Sequence, residues 1–132
     1  MKRVLFALLT IATLTLCGLE QFQDGQKICF YGDSITAPGG GYAYNLQKFY
    51  TVRFPERKIQ WFNRGLSGSN ITNSLKRLQT DVIDLQPDVV TIMMGMNDVN
   101  INLYNNNTPD ETNAGKRAQA LNDYEASYRK TI

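Results

Sequence analysis

Three short apolar runs recur along the chain, each followed by a loop and then by a stretch with helical spacing. The first, Lys27-Ile28-Cys29-Phe30-Tyr31, ends at Gly32 and leads into the Pro/Gly-rich stretch Ala37–Gly41. A brief apolar run closed by glycine predicts a buried strand. Tyr42–Arg53 then places Ala43, Leu46, Phe49 and Tyr50 at helical intervals and stops before Pro55. Lys58–Phe62 reads as a second strand, and Asn63–Asn70 as a loop rich in Gly, Ser and Asn. Ile71, Leu75, Leu78, Val82 and Leu85 recur at steps of four and three, which predicts an amphipathic helix ended by Pro87. Asp88–Met94 is the third strand. Its near-continuous apolar character predicts cover on both faces. Val99–Asn113 reads as a polar loop, and Ala114–Ile132 as a third helix with Ala118, Leu121 and Tyr128 on one side.

Strands alternating with helices predict a parallel, doubly wound sheet with helices on both faces. Such sheets commonly hold about five strands, and three strand-helix units are present here. The domain is therefore expected to be a truncated one, ending after its third unit. One side of the third strand is then expected to lack a neighbour, and an exposed apolar edge is an aggregation hazard. With 42% hydrophobic and 20% charged residues among 132, the composition fits one globular domain and excludes a disordered chain.

The chain divides into residues 1–18, a polar linker over 19–26, and the domain proper over 27–132. Met1–Gly18 has the form of a signal peptide, with Lys2 and Arg3 preceding an apolar run from Val4 to Leu16. That run is too short to span a bilayer comfortably, so no transmembrane span is expected in the mature form. Leu14-Thr15-Leu16-Cys17 resembles a bacterial lipoprotein box, from which Leu16 departs because a small residue is usual there. Cleavage after Gly18 is the rival route. Either route predicts an exported chain: secreted, periplasmic or lipid-anchored through Cys17. Cys29 lies within a strand pattern and reads as a small buried hydrophobe rather than half of a disulfide framework. Without Lys2 and Arg3 the charges balance at 12 basic against 12 acidic residues. The basic residues are scattered, which excludes a nucleic-acid-binding face.

A short motif follows each strand: Gly32-Asp33-Ser34-Ile35-Thr36, Asn63-Arg64-Gly65-Leu66-Ser67-Gly68 and Gly95-Met96-Asn97-Asp98. Ligands of open parallel sheets bind outside the carboxyl ends of the strands, near the point where strand order reverses. If the order begins 2-1-3, Ser34 sits centrally, with Gly65 and Asn97 on its two flanks. That arrangement suits acyl transfer. A serine hydroxyl attacks the ester carbonyl, and preorganised donors meet the charge that develops on its oxygen. Gly65 can offer a backbone N–H with no Cβ to obstruct substrate; its other reading is a loop glycine needing positive φ. Asn97 can offer its side-chain amide, and Ser34 its own N–H. Asp33 and Asp98 are read as supports that hold loop backbone, and Thr36 as structural. Gly39-Gly40-Gly41 lacks the lysine of a phosphate-binding loop and reads as a flexible pocket loop. Tyr42, Tyr44, Asn100 and Asn102 are positioned to line a substrate groove.

At these three motifs the sequence resembles the SGNH, or GDSL-type, hydrolases, whose blocks carry Ser, Gly, Asn and His. Ser34, Gly65 and Asn97 match the first three blocks in order and spacing, over about Lys27–Ile132. The resemblance implies a flavodoxin-like three-layer α/β/α fold. It also implies a serine esterase acting on small acyl esters, with no metal or organic cofactor. The substrate expected of an exported chain with polar and aromatic loops is an acetylated carbohydrate. One departure is plain: the family's Asp-x-x-His block, which supplies the base, has no counterpart, and the chain contains no histidine. Serine is a poor nucleophile without a neighbouring base. A triad lacking a member keeps only ~10³–10⁴-fold acceleration over water. The polypeptide alone is therefore expected to be nearly inactive. Two rival readings are a non-catalytic ligand-binding module on the same scaffold and a nucleotide-binding flavodoxin-like domain. The second leaves Asn97 and the Ser34 motif unexplained.

Overall fold

A computed structural model of the chain describes residues 21–99, 101–104 and 110–132. The stretch read as a signal peptide, Cys17 included, lies outside the described residues, as does Asn100. In chain order the elements are β1 (Lys27–Gly32), α1 (Tyr42–Arg53), β2 (Gln60–Gly65), α2 (Ile71–Asp81), β3 (Val89–Met93) and α3 (Asp110–Tyr128). Short 3₁₀ turns occupy Ile83–Leu85 and Ile101–Tyr104.

The strands form one parallel sheet in the order β2-β1-β3. Successive strand residues face opposite sides, and β1 uses both. Ile28 and Phe30 pack with Ala43 of α1 on one side. Cys29 and Tyr31 pack with Leu78, Val82 and Leu85 on the other. The result is three layers: α1, then the sheet, then α2, against which α3 also packs. On the α1 side the fill is aromatic. Phe30 stacks on Trp61 with ring centroids 5.8 Å apart, and Phe22 packs against Tyr50 and Trp61. Phe22 thus anchors the polar segment before β1 to the domain, and Arg57 Nη1 donates to its carbonyl at 2.6 Å.

Cover on both faces, expected of the third strand, belongs to β1 instead. Ile28, Cys29, Phe30 and Tyr31 are all at most 1% exposed, whereas Val90 and Met93 of β3 are 37% and 41% exposed. The cause is topological. The α1 crossover joins β1 to β2 and lies over that pair, and β3 has β1 as its single neighbour among the described residues. Element boundaries also differ from the expected ones. Residues Asn63–Gly65, expected in a loop, continue β2, because they stay in register with Phe30–Gly32. The second helix ends at Asp81 rather than running to Leu85. Val82 leaves helical geometry, and Gln86 ends the following 3₁₀ turn in the left-handed region at φ 50°. Pro87 disfavours right-handed helix at the residue before it. The third helix begins at Asp110 inside the expected loop and ends at Tyr128. Asp110-Glu111 is an acidic helix start hidden in a polar stretch.

Candidate active site

β1 delivers the Gly-Asp-Ser motif to the middle of the sheet's carboxyl edge. The strand ends at Gly32, and the Asp33 N–H donates to Met93 O at 3.3 Å, carrying the pairing with β3 one step further. The chain then turns tightly: the N–H groups of Thr36 and Ala37 both donate to Asp33 O, at 3.2 and 3.0 Å. Asp33 is 1% exposed, and its Oδ1 accepts the Ile35 N–H at 2.9 Å, spanning the residue between them. Ser34 is that residue. It is exposed, and its hydroxyl has no partner among the described residues. Thr36 is fully buried under the turn, where its Oγ1 meets Tyr42 Oη at 3.5 Å. Room for Thr36 exists because residue 32 is glycine: a Cβ there would lie 2.0 Å from Thr36 Oγ1.

Gly65 ends β2 directly beside Gly32. Positive φ does not explain it, since it is absent from the left-handed glycines of the chain. Close approach does: a Cβ on Gly65 would lie 2.3 Å from Ala37 N and 2.5 Å from Thr36 C. The glycine lets the Ser34 turn rest against the end of β2. Asn63 completes the joint. Its Nδ2 donates to Thr36 O at 2.7 Å and its Oδ1 accepts the Gly65 N–H at 2.9 Å. An incoming oxyanion at Gly65 would have to share that N–H with Asn63 or take it over.

Asn97 follows β3, on the other flank of β1. Its Nδ2 donates to Ser69 O at 2.9 Å, in the loop after β2. Asp98 reaches the same way, and its Oδ1 accepts the N–H of Ile71, the first residue of α2, at 2.9 Å. Both bonds join the loop after β3 to the segment after β2, and these two strands flank the one that leads into Ser34. Asn70 caps α2 independently, accepting the Asn73 N–H at 2.8 Å. Asp98 Oδ2 is buried without a partner among the described residues.

Beside this loop, between it and α3, lie two adjoining spaces. A largely apolar cavity of about 270 Å³ has Gly95, Val99, Leu103, Leu121 and Tyr124 in its walls. A more polar groove of about 670 Å³ runs past Asn70, Thr72, Asn97 and Asp123. Ser34 is not in the walls of either. Of the residues positioned by sequence for a groove, Tyr42 instead sits at the joint between layers. Its hydroxyl bonds Thr91 Oγ1 at 3.0 Å, and its ring packs edge-on against Phe30. Tyr44 and Asn102 are exposed, as are Gly39 and Gly40. Burial pushes the Cys29 thiol up to about 11, so it stays protonated and inert at neutral pH. Among the described residues no group of three or more His, Cys, Asp or Glu side chains could hold a metal ion, and no helix is long and apolar enough to cross a membrane.

Sequence reasoning passed over two residues. Asn63 stood in a quoted motif but carried no role, although an Asn two residues before a required glycine was the available signal. Arg77 sits on the expected polar face of α2. The structure turns it inward, with Nη1 on Arg64 O at 2.9 Å and Nη2 on Gly32 O at 3.2 Å. Nothing in local spacing marks it.

A parallel β2-β1-β3 sheet with a Gly-Asp-Ser turn on its central strand, a packed glycine on one flank and an Asn-Asp pair on the other is an α/β arrangement similar to that of GDSL-type hydrolases. The GDSL-like lipase/acylhydrolase family model matches residues 30–131, most of the chain, and the chain belongs to that family. It is 36% identical over 90 residues to an acetylxylan esterase of Geobacillus stearothermophilus, covering 58% of this chain and 41% of that protein. The crystal structure of a catalytic mutant of an acetylxylan esterase from the same organism superposes with a TM-score of 0.68 at 30% identity, covering 85% of this chain and 55% of that one. An α/β hydrolase enzyme from the metagenome of Lake Arreo, Spain, gives a TM-score of 0.54 at 36% identity, over 59% and 43% of the two chains. The chain thus spans about half the length of these relatives.

Proposed function

We propose that this chain carries the nucleophile and oxyanion side of an acyl-ester-hydrolysing site. Ser34 Oγ attacks the ester carbonyl. The N–H groups of Ser34 and Gly65 and the Asn97 side-chain amide receive the developing oxyanion, while Asp33 and Asp98 hold the loops that present them. The bond from Asn97 to Ser69 O supports this reading, because it ties together the loops after β3 and β2, the two strands that flank the one leading into Ser34. Each such donor contributes roughly 3–4 kcal/mol of transition-state stabilisation in serine hydrolases. The substrate class is a small acyl ester, with acetylated carbohydrate favoured by the acetylxylan esterases among the relatives. We also infer that the chain is exported, from Lys2, Arg3 and the apolar run that follows them.

No histidine is present to take the Ser34 proton, so the chain by itself is proposed to turn over little substrate. Deacylation needs a base as much as acylation does. Treated with p-nitrophenyl acetate, the chain should therefore become acetylated slowly at Ser34 and stay acetylated, as read by peptide mass spectrometry. Imidazole in the buffer should speed the labelling, and Ser34→Ala should abolish it. Labelling of Ser34 no faster than of exposed Ser67 would leave the non-catalytic binding module as the better account.

A further inference from the structure

Arg77 is the one basic side chain of α2 drawn beneath the candidate site, and its contacts are specific. Nη1 donates to Arg64 O at 2.9 Å and Nη2 to Gly32 O at 3.2 Å. The guanidinium lies 4.7 Å from the centre of the Tyr31 ring, and the same Nη1 pairs with Asp81 one turn along the helix. The Tyr31 hydroxyl in turn donates to Ser74 O, so ring and guanidinium are both fixed to α2.

The two carbonyls matter because of the amides they belong to. Arg64 C=O and Gly65 N–H are opposite ends of one planar peptide unit, and so are Gly32 C=O and Asp33 N–H. A donor that fixes the carbonyl fixes the direction of the N–H. The first unit supplies the Gly65 donor. The second leads directly into Ser34, and its N–H is tied to Met93 O. A cation on a carbonyl also polarises the amide and makes its N–H a stronger donor in a low-dielectric setting.

We propose that Arg77 is a positioning residue for acyl transfer at Ser34, locking the Arg64–Gly65 and Gly32–Asp33 peptides in register and strengthening the Gly65 donor. It touches no substrate. The proposal rests on the reading of Gly65 as an oxyanion donor.

The test compares the unsubstituted chain with Arg77→Lys and Arg77→Met, using Ser34 acetylation by p-nitrophenyl acetate and the amide resonances of the folded proteins. Loss of alignment at one donor should slow the saturating acetylation rate by roughly 10- to 100-fold in Arg77→Met, with half-saturating ester concentration little changed. Arg77→Lys, which keeps the charge and cannot bridge both carbonyls, should fall between. The Gly65 amide proton should move upfield in both variants while the Asn97 side-chain resonances hold. If Arg77→Met fails to fold, Arg77→Lys decides. Folded variants with the Gly65 resonance in place and the acetylation rate unchanged would overturn the proposal. If the unsubstituted chain is not acetylated at Ser34, the esterase reading falls by itself, and the Gly65 resonance alone decides the role of Arg77.

Discussion

The two flanks of the Ser34 turn are held by opposite means. On the β2 side the backbone itself is packed: Gly65 leaves no space for a Cβ against Thr36 and Ala37, and Asn63 and Arg77 lock the strand ends. On the β3 side the candidate Asn97–Asp98 loop is tied by single side-chain bonds to Ser69 and Ile71, next to cavities and exposed apolar residues such as Met96 and Val99. A backbone donor can be aimed only by fixing the chain, so its flank is close-packed. The side-chain donor proposed at Asn97 can be aimed by one hydrogen bond, so its flank can stay open toward the neighbouring cavities.

Substitution tests that contrast directly. Gly65→Ala should cost the most, about 3 kcal/mol or more, because the added methyl meets backbone rather than a movable side chain. Urea unfolding would show it, and a loss below about 1 kcal/mol would mean the β2 flank is not close-packed. The alkaline limb sharpens the same point. Cys29 is fully buried and its thiol is raised from 9.0 to about 11, chiefly by desolvation, with Arg64, Arg77 and Asp81 facing it. Between these values the folded chain holds the proton that the unfolded chain releases. Stability should therefore fall as pH rises from about 9 to 11, by about 2 kcal/mol. In Cys29→Ala that part of the decline should disappear from unfolding curves measured across the same range. On the looser flank, Asp98→Ala frees the Ile71 N–H and should cost about 1 kcal/mol; a cost equal to that of Gly65→Ala would erase the distinction. Smallest of all, Ser34→Ala should leave the unfolding free energy within about 0.5 kcal/mol of unchanged, since the hydroxyl is exposed and unbonded among the described residues.

Much of this was legible in local pattern. The first helix was read at Tyr42–Arg53 and lies there. Three parallel strands are expected and found, and the order supposed for them, 2-1-3, is the observed one. Other features were misread for identifiable reasons. β3 is as apolar as β1, yet two of its five residues are exposed and none is fully buried, because apolar content reports a capacity for burial and not the presence of a neighbour. The alternative of a positive φ at Gly65 does not hold, and the missing Cβ makes room for the Thr36–Ala37 backbone, a contact between distant segments that local pattern does not report and where Asn63 also bonds.

Hydrophobic period, turn residues and motif order, all of them properties of neighbouring positions, were enough to set the strand-helix alternation and to name Ser34, Gly65 and Asn97 as candidates. Which strand would be covered, why residue 65 must be glycine, and that Arg77 turns inward under the strand ends were settled only by the folded chain. Those outcomes depend on contacts between segments distant in sequence, and such contacts exist only once β1 has been placed between its two neighbours.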